Sequence, residues 1–106
     1  MITVSKRDFV RQILPDDCPD ASYLEQDGFE ERLQQYRQGR FRFMGIRAAV
    51  DAPITHAEGV IPITIETPGL WGIESDGDEG YFDVVYQEEC DILADMLAQL
   101  GVTVAE

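Results

Sequence analysis

Apolar positions change their period along this chain, and each change marks an element. Phe29, Leu33 and Tyr36 recur at i, i+4 and i+7, which puts one apolar face on a short helix near residues 28–38. Gly39 fits its C-terminal stop. From Arg40 the period falls to two. Phe41 and Phe43 alternate with Arg40 and Arg42, and Ile46, Ala48 and Val50 continue past Gly45, which reads as a bulge. His56-Ala57-Glu58-Gly59 reads as a turn, and Val60 to Thr67 as a second strand that Pro62 confines to an edge or a bulge. A Pro68-Gly69 turn then leads into the short apolar stretch Leu70-Trp71-Gly72-Ile73.

The last long pattern is helical. Ser75, Asp76 and Asp78 are candidate N-caps. Phe82, Val85, Tyr86, Leu93, Met96, Leu97 and Leu100 lie on one side, and Gly101 ends the run. Val102 to Val104 fit a short closing strand. At the other end, Ile2 and Val4 start like a strand, and the charged stretch up to Leu14 reads as helical. Pro15 to Pro19 is a loop, and Ser22/Glu25 and Asp27/Glu30 have the spacing of capping boxes. The expected fold is α+β: an antiparallel sheet with a long C-terminal acidic helix packed on one face and a shorter helix near residues 28–38. A chain of 106 residues is the size of one domain, so residues 1–106 are taken as a single unit.

Glu89 interrupts the apolar stripe of the last helix between Val85/Tyr86 and Leu93. A buried carboxylate needs a partner, and Arg47, the Trp71 indole or backbone amides are the expected ones. Trp71 reads as a core residue first and as an interface anchor second.

Charge adds what periodicity cannot. The net charge is −13, and all eight basic residues (Lys6, Arg7, Arg11, Arg32, Arg37, Arg40, Arg42, Arg47) lie in the first 47 positions, balanced there by eight acids. Residues 48–106 hold thirteen acids and no base, nine of them between Glu74 and Asp95. Such a chain is a poor direct ligand for nucleic acid or for an anionic membrane, and a basic partner is its natural complement. No apolar run approaches the ~20 residues of a membrane span. Charges within the first eight residues argue against a signal peptide, so a cytoplasmic location is expected. Cys18 and Cys90 form no C-x-x-C pair and are expected to be free thiols.

Catalytic patterns are not found. His56 is the only histidine, which excludes a metal site with two His ligands, and it reads as an exposed turn residue. There is no nucleophile elbow, phosphate-binding loop or dinucleotide fingerprint. The run from Asp76 fails as a calcium loop: Gly80 falls on a ligand position, Tyr81 on the required glycine and Gln87 on the bidentate glutamate. The chain is therefore expected to be no enzyme and to need no metal and no cofactor.

The carboxylates of the last helix and its lead-in remain. Residues 79–95 place six acids along about 25 Å of helix, roughly one per 4 Å, against one per ~3.4 Å for a strand of B-form DNA. Glu74, Asp76, Asp78, Glu79, Asp83, Glu88, Asp91 and Asp95 are the candidate partner-binding residues. A duplex-like second row would come from Asp51, Glu58 and Glu66 or from another subunit.

Ser22-Tyr23-Leu24-Glu25-Gln26, Phe43-Met44-Gly45-Ile46-Arg47 and above all Gly69-Leu70-Trp71-Gly72-Ile73-Glu74-Ser75-Asp76 resemble a family of small acidic proteins of bacteriophages and mobile elements. The resemblance spans about residues 19–101 and carries over no site residue. It implies a context in which small acidic proteins counter host defences, similar to anti-CRISPR and anti-restriction proteins that mimic DNA. The expectation is a non-enzymatic inhibitor in the host cytoplasm. It would seat its carboxylates in the cleft of a basic nucleic-acid-binding host protein, such as a CRISPR effector or restriction enzyme. The alternative is an interaction or assembly module without mimicry.

Overall fold

The computed structural model describes residues 2–106, apart from the side chains of residues 54–56. In chain order the elements are β1 (Ile2–Ser5), β2 (Val10–Pro15), α1 (Glu30–Arg37), β3 (Phe43–His56), β4 (Gly59–Glu66), β5 (Leu70–Glu74), α2 (Glu79–Gln99) and β6 (Val102–Ala105). Single 3-10 turns at Lys6–Asp8 and Ser22–Glu25 complete it.

β3 organises the sheet. One of its edges pairs antiparallel with β2, and the other pairs with β5 near its start and with β4 along its far part. Alternation sends Met44, Ile46, Ala48, Val50 and Ala52 to the face that α2 covers. Phe82 and Val85 of α2 pack on Met44, Ile46 and Ile73, while Leu93 and Leu97 pack on Ala48, Val50 and Ala52. The sheet with a long helix on one face is the architecture expected above.

Phe43 belongs to the opposite side. There it joins Leu24 and Phe41 under α1, with Tyr23, Leu33 and Tyr36 packed around them. The α1 helix has the predicted position and stops at Gly39, whose φ of 73° a side chain would resist. Neither expected capping box forms. Phe29 is the N-cap of α1 and makes no side-chain bond there; Ala21 is the N-cap of the second 3-10 turn, also without a side-chain bond, and Asp20 ahead of it accepts from the Ser22 amide and hydroxyl.

Two more expectations needed correcting. The charged stretch read as helical up to Leu14 is helical only in the 3-10 turn at Lys6–Asp8; from Val10 it is strand β2, because pairing along β3 outweighs its weak local preference. Leu100, assigned to the apolar stripe, is 64 % exposed, since the helix ends before reaching its neighbour in the core. The closing strand forms as expected, and its partner is β1 in parallel register, Ile2 opposite Val102. That pairing closes the far end of the core around Val4 and Val102.

Beyond Ala52 the β3–β4 hairpin runs clear of the helix and stretches the molecule to 58 Å by 26 Å by 19 Å. The turn falls at residues 57–58, and Pro62 lies in an edge strand as its missing N–H requires. The reading of the His56 side chain as exposed lies outside the described residues.

Candidate partner-binding surface

Local sequence explains how α2 begins. Asp78 is the N-cap, and its carboxylate accepts from the Gly80 amide at 2.9 Å. Gly101, with φ 80°, ends the run. Between them, Phe82, Val85, Glu89, Leu93 and Leu97 are buried, so at 100° per residue the outward side is centred between Val84, Asp91 and Asp95. Glu88, Asp91 and Asp95 fall within about 60° of one another on that side. All three are exposed; Val84, 55 % exposed, shares that side one turn earlier, and Ile92, 42 % exposed, lies at its flank beyond Glu88. Tyr81 stands at the start of the same surface, half exposed.

The eight candidate residues do not form one row. Glu74 and Asp76 converge on Arg32 of α1: the guanidinium donates to Glu74 and, at 2.8 Å, to both oxygens of Asp76. It also lies 3.7 Å from the centre of the Phe41 ring. Tyr23 donates its hydroxyl to the other Glu74 oxygen. Asp83, expected to face no base, is paired with Arg11 of β2 at 2.9 Å, and Arg11 in turn sits over the Tyr86 ring. No ion pair among the described residues reaches Asp78, Glu79, Glu88, Asp91 or Asp95. Glu88 to Asp95 spans about 10 Å of axis, so these three carboxylates keep roughly the spacing expected from sequence but over less than half the length of that row.

The second row is not built beside the first. Asp51 and Glu66 project from the sheet face away from α2, where Asp51 accepts from the Thr64 hydroxyl at 2.6 Å and Glu66 pairs with Arg47 at 2.9 Å. Cations from the neutral half thus serve the acidic half across 19 to 100 residues of chain. Reading charges in local windows could not reveal this. Tyr23 and Arg32 were missed for the same reason, since only the docking of α1 on β3 brings them to Glu74.

The Arg32 guanidinium, chiefly through its hydrogen bonds, holds the Asp76 carboxyl below its ordinary value of 3.8. A depressed carboxyl stabilises the fold above its unfolded pKa, and the contribution disappears as pH falls through the folded value. Removing Arg32 by Arg32→Ala should cost roughly 1 kcal/mol, small because the pair is partly exposed. The gap in melting temperature between the two proteins should be open at about pH 6 and narrow below about pH 4. A gap that widens in acid would contradict this assignment. Burial first, and then the bond to Glu74, pushes the Tyr23 hydroxyl up to about 12, so it remains a donor.

The run after Asp76 holds its carboxylates on Arg32 and on the Gly80 amide, and no group of three or more metal-ligating side chains occurs among the described residues. Cys18 is exposed and Cys90 half-buried, both as free thiols, and burial pushes the Cys90 thiol up. No helix of the described residues is long and apolar enough to cross a membrane. Trp71 lies on the face opposite α2, 41 % exposed, with its ring over Gly45 and its indole N–H donating to the Pro68 carbonyl at 2.8 Å. Glu89 is buried, and its partner is the Thr67 hydroxyl at 2.7 Å rather than Arg47, the indole or a backbone amide. Comparison with protein-family models, with curated proteins and with solved structures gives no match.

Proposed function

We propose that this protein is a non-enzymatic inhibitor that docks the outward side of α2 on a basic, nucleic-acid-binding protein and excludes its phosphate backbone. The observation that carries the reading is the surface of Glu88, Asp91 and Asp95, exposed and in no ion pair among the described residues, with Val84 exposed one turn before them and Ile92 exposed at their flank. Carboxylates alone would serve solubility. Aliphatic side chains left in water beside them are what a partner's surface would cover. The chain has cations enough to pair acids elsewhere, and it spends them on Glu66, Glu74, Asp76 and Asp83 rather than here.

The test is a competition. A basic partner recovered at low salt should lose its labelled DNA duplex when this protein is added. Association should slow at least about tenfold as salt rises from low to several-fold physiological strength, because steering is screened. Reversing Glu88, Asp91 and Asp95 to Lys should abolish the competition with an unchanged circular-dichroism spectrum, since none of the three touches the core. A partner that holds duplex and protein together, or that binds the reversed variant equally well, rules the mimic out.

A second reading, an assembly module without mimicry, is supported by the projecting hairpin. Val60, Ile61 and Ile63 are 62 %, 46 % and 41 % exposed there. Sedimentation of the isolated protein separates the two, because the inhibitor needs no self-association.

A further inference from the structure

The free edge of β5 borders a cavity of about 340 Å³, open where the layer of α1 and the layer of α2 both reach the sheet edge. Tyr23 lines it from one layer and Tyr81 and Phe82 from the other, with Glu74, Gly72 and Gly77 along the strand and the turn that follows. We infer that this cavity takes an alkylammonium group, and that in a complex the group is a lysine side chain of the basic partner. The identity of that lysine rests on the function proposed above; the chemistry of the cavity does not.

Three features select a cation. Along the strand the polar side chains lining the cavity offer acceptors, and the Tyr81 hydroxyl at the rim can accept as well as donate. Tyr23 has its one proton committed to Glu74, and each Glu74 oxygen, one taken by Tyr23 and the other by Arg32, keeps a further lone pair. An ammonium, with three donors and no acceptor, matches such a lining. The charge is also incomplete: Glu74 and Asp76 are two carboxylates sharing the single guanidinium of Arg32, which leaves one negative charge beside the cavity. Finally, the walls are aromatic, and ring faces attract cations that have shed water. The protein already uses this chemistry next door, where Arg32 stacks on Phe41.

The N-terminus of α2 lies close by, and its positive end works against a cation. Asp78 caps it, and Glu79 adds a carboxylate in the first turn, so the local field stays negative. The volume is that of a small-ligand pocket and admits a four-carbon stem. Tyr81, half exposed at the rim, is placed to close over that stem.

The probe is n-butylammonium, titrated at fixed ionic strength into the isotope-labelled protein and followed by amide chemical shifts, with n-butanol as the uncharged control. Saturable shifts should appear at Gly72, Gly77 and Tyr81 with the ammonium and not with the alcohol. Tyr81→Ala should weaken binding about 3- to 10-fold, the loss of one cation–ring contact, with the remaining spectrum unchanged. Equal shifts with n-butanol would make the cavity merely apolar and overturn the inference. So would shifts that never saturate, or that gather at Glu88, Asp91 and Asp95. Reversal of those three residues should leave the titration unaltered, so the cavity and the docking surface succeed or fail separately.

Discussion

An alanine at position 45 is expected to destabilise the protein by roughly 1–3 kcal/mol and to shift the fluorescence of Trp71 to the red. Gly45 sits inside β3, and a methyl group built there would lie 2.3 Å, 2.5 Å and 2.7 Å from three carbons of the indole ring. No carbon atoms tolerate that approach, and the ring cannot slide freely because its N–H is bonded to the Pro68 carbonyl. Trp71 must swing into water or β5 must part from β3. Either way the single tryptophan of the chain leaves its seat, so emission reports on it directly.

The same substitution should change sign once the ring is gone. Gly45 has no positive φ, so an alanine there is not strained by the backbone itself. In a Trp71→Ala background the added methyl removes the entropic cost of glycine in a strand, worth about 0.5–1 kcal/mol of stabilisation. A double-mutant cycle by chemical denaturation should therefore return a coupling of more than about 1 kcal/mol. Equal destabilisation in both backgrounds would mean that the glycine serves something other than the ring.

Gly45 and Trp71 also show how far the sequence could be read. A glycine inside an alternating strand announces a bulge or a close approach, and the register shift between Met44 and Ile46 opposite β5 is that bulge. What presses on it could not be read, because Trp71 is a neighbour only through strand pairing. The long helix, the hairpin and their stops were legible, since apolar period and glycine act locally. β2 was not, because Val10 to Pro15 has no clean alternation: Arg11 reaches over Tyr86 to Asp83 while Val10 and Ile13 stay largely in water. The parallel pair of β1 and β6 was out of reach for the same reason, two four-residue strands with nothing local to name their partner.

The candidate surface was legible in part. Off-stripe positions put Glu88, Asp91 and Asp95 outside, where they are. The charge count promised a wider row, and tertiary pairing removed Glu74, Asp76 and Asp83 from it. Composition shows where acids lie along the chain. Which of them keep their charge available depends on cations that arrive from another layer.

Glu89→Ala is expected to lower stability by roughly 2–4 kcal/mol, the largest effect of any polar residue outside the acidic surface. The break between β4 and β5 disturbs the ladder opposite Ala48, and Thr67 repairs it. Its amide donates to the Ala48 carbonyl at 2.9 Å, and its hydroxyl accepts from the Ala48 amide at 3.1 Å. That hydroxyl can face Ala48 with a lone pair only if its proton goes elsewhere, and Glu89 takes it at 2.7 Å. One carboxylate on α2 thereby fixes a side chain that stands in for a missing sheet hydrogen bond. Truncation leaves a buried donor unpaired, about 1–3 kcal/mol, and adds the void of the lost side chain. For a chain of this size the melting temperature should fall by about 10 °C or more. Glu89→Gln keeps an acceptor of the same shape and should recover part of the loss. Thr67→Val removes the relay itself, so combining it with Glu89→Ala should cost much less than the two single losses added together. A melting temperature of Glu89→Ala equal to that of the unaltered protein would show that Thr67 needs no partner on α2, and full additivity of the pair would show that the two side chains act apart.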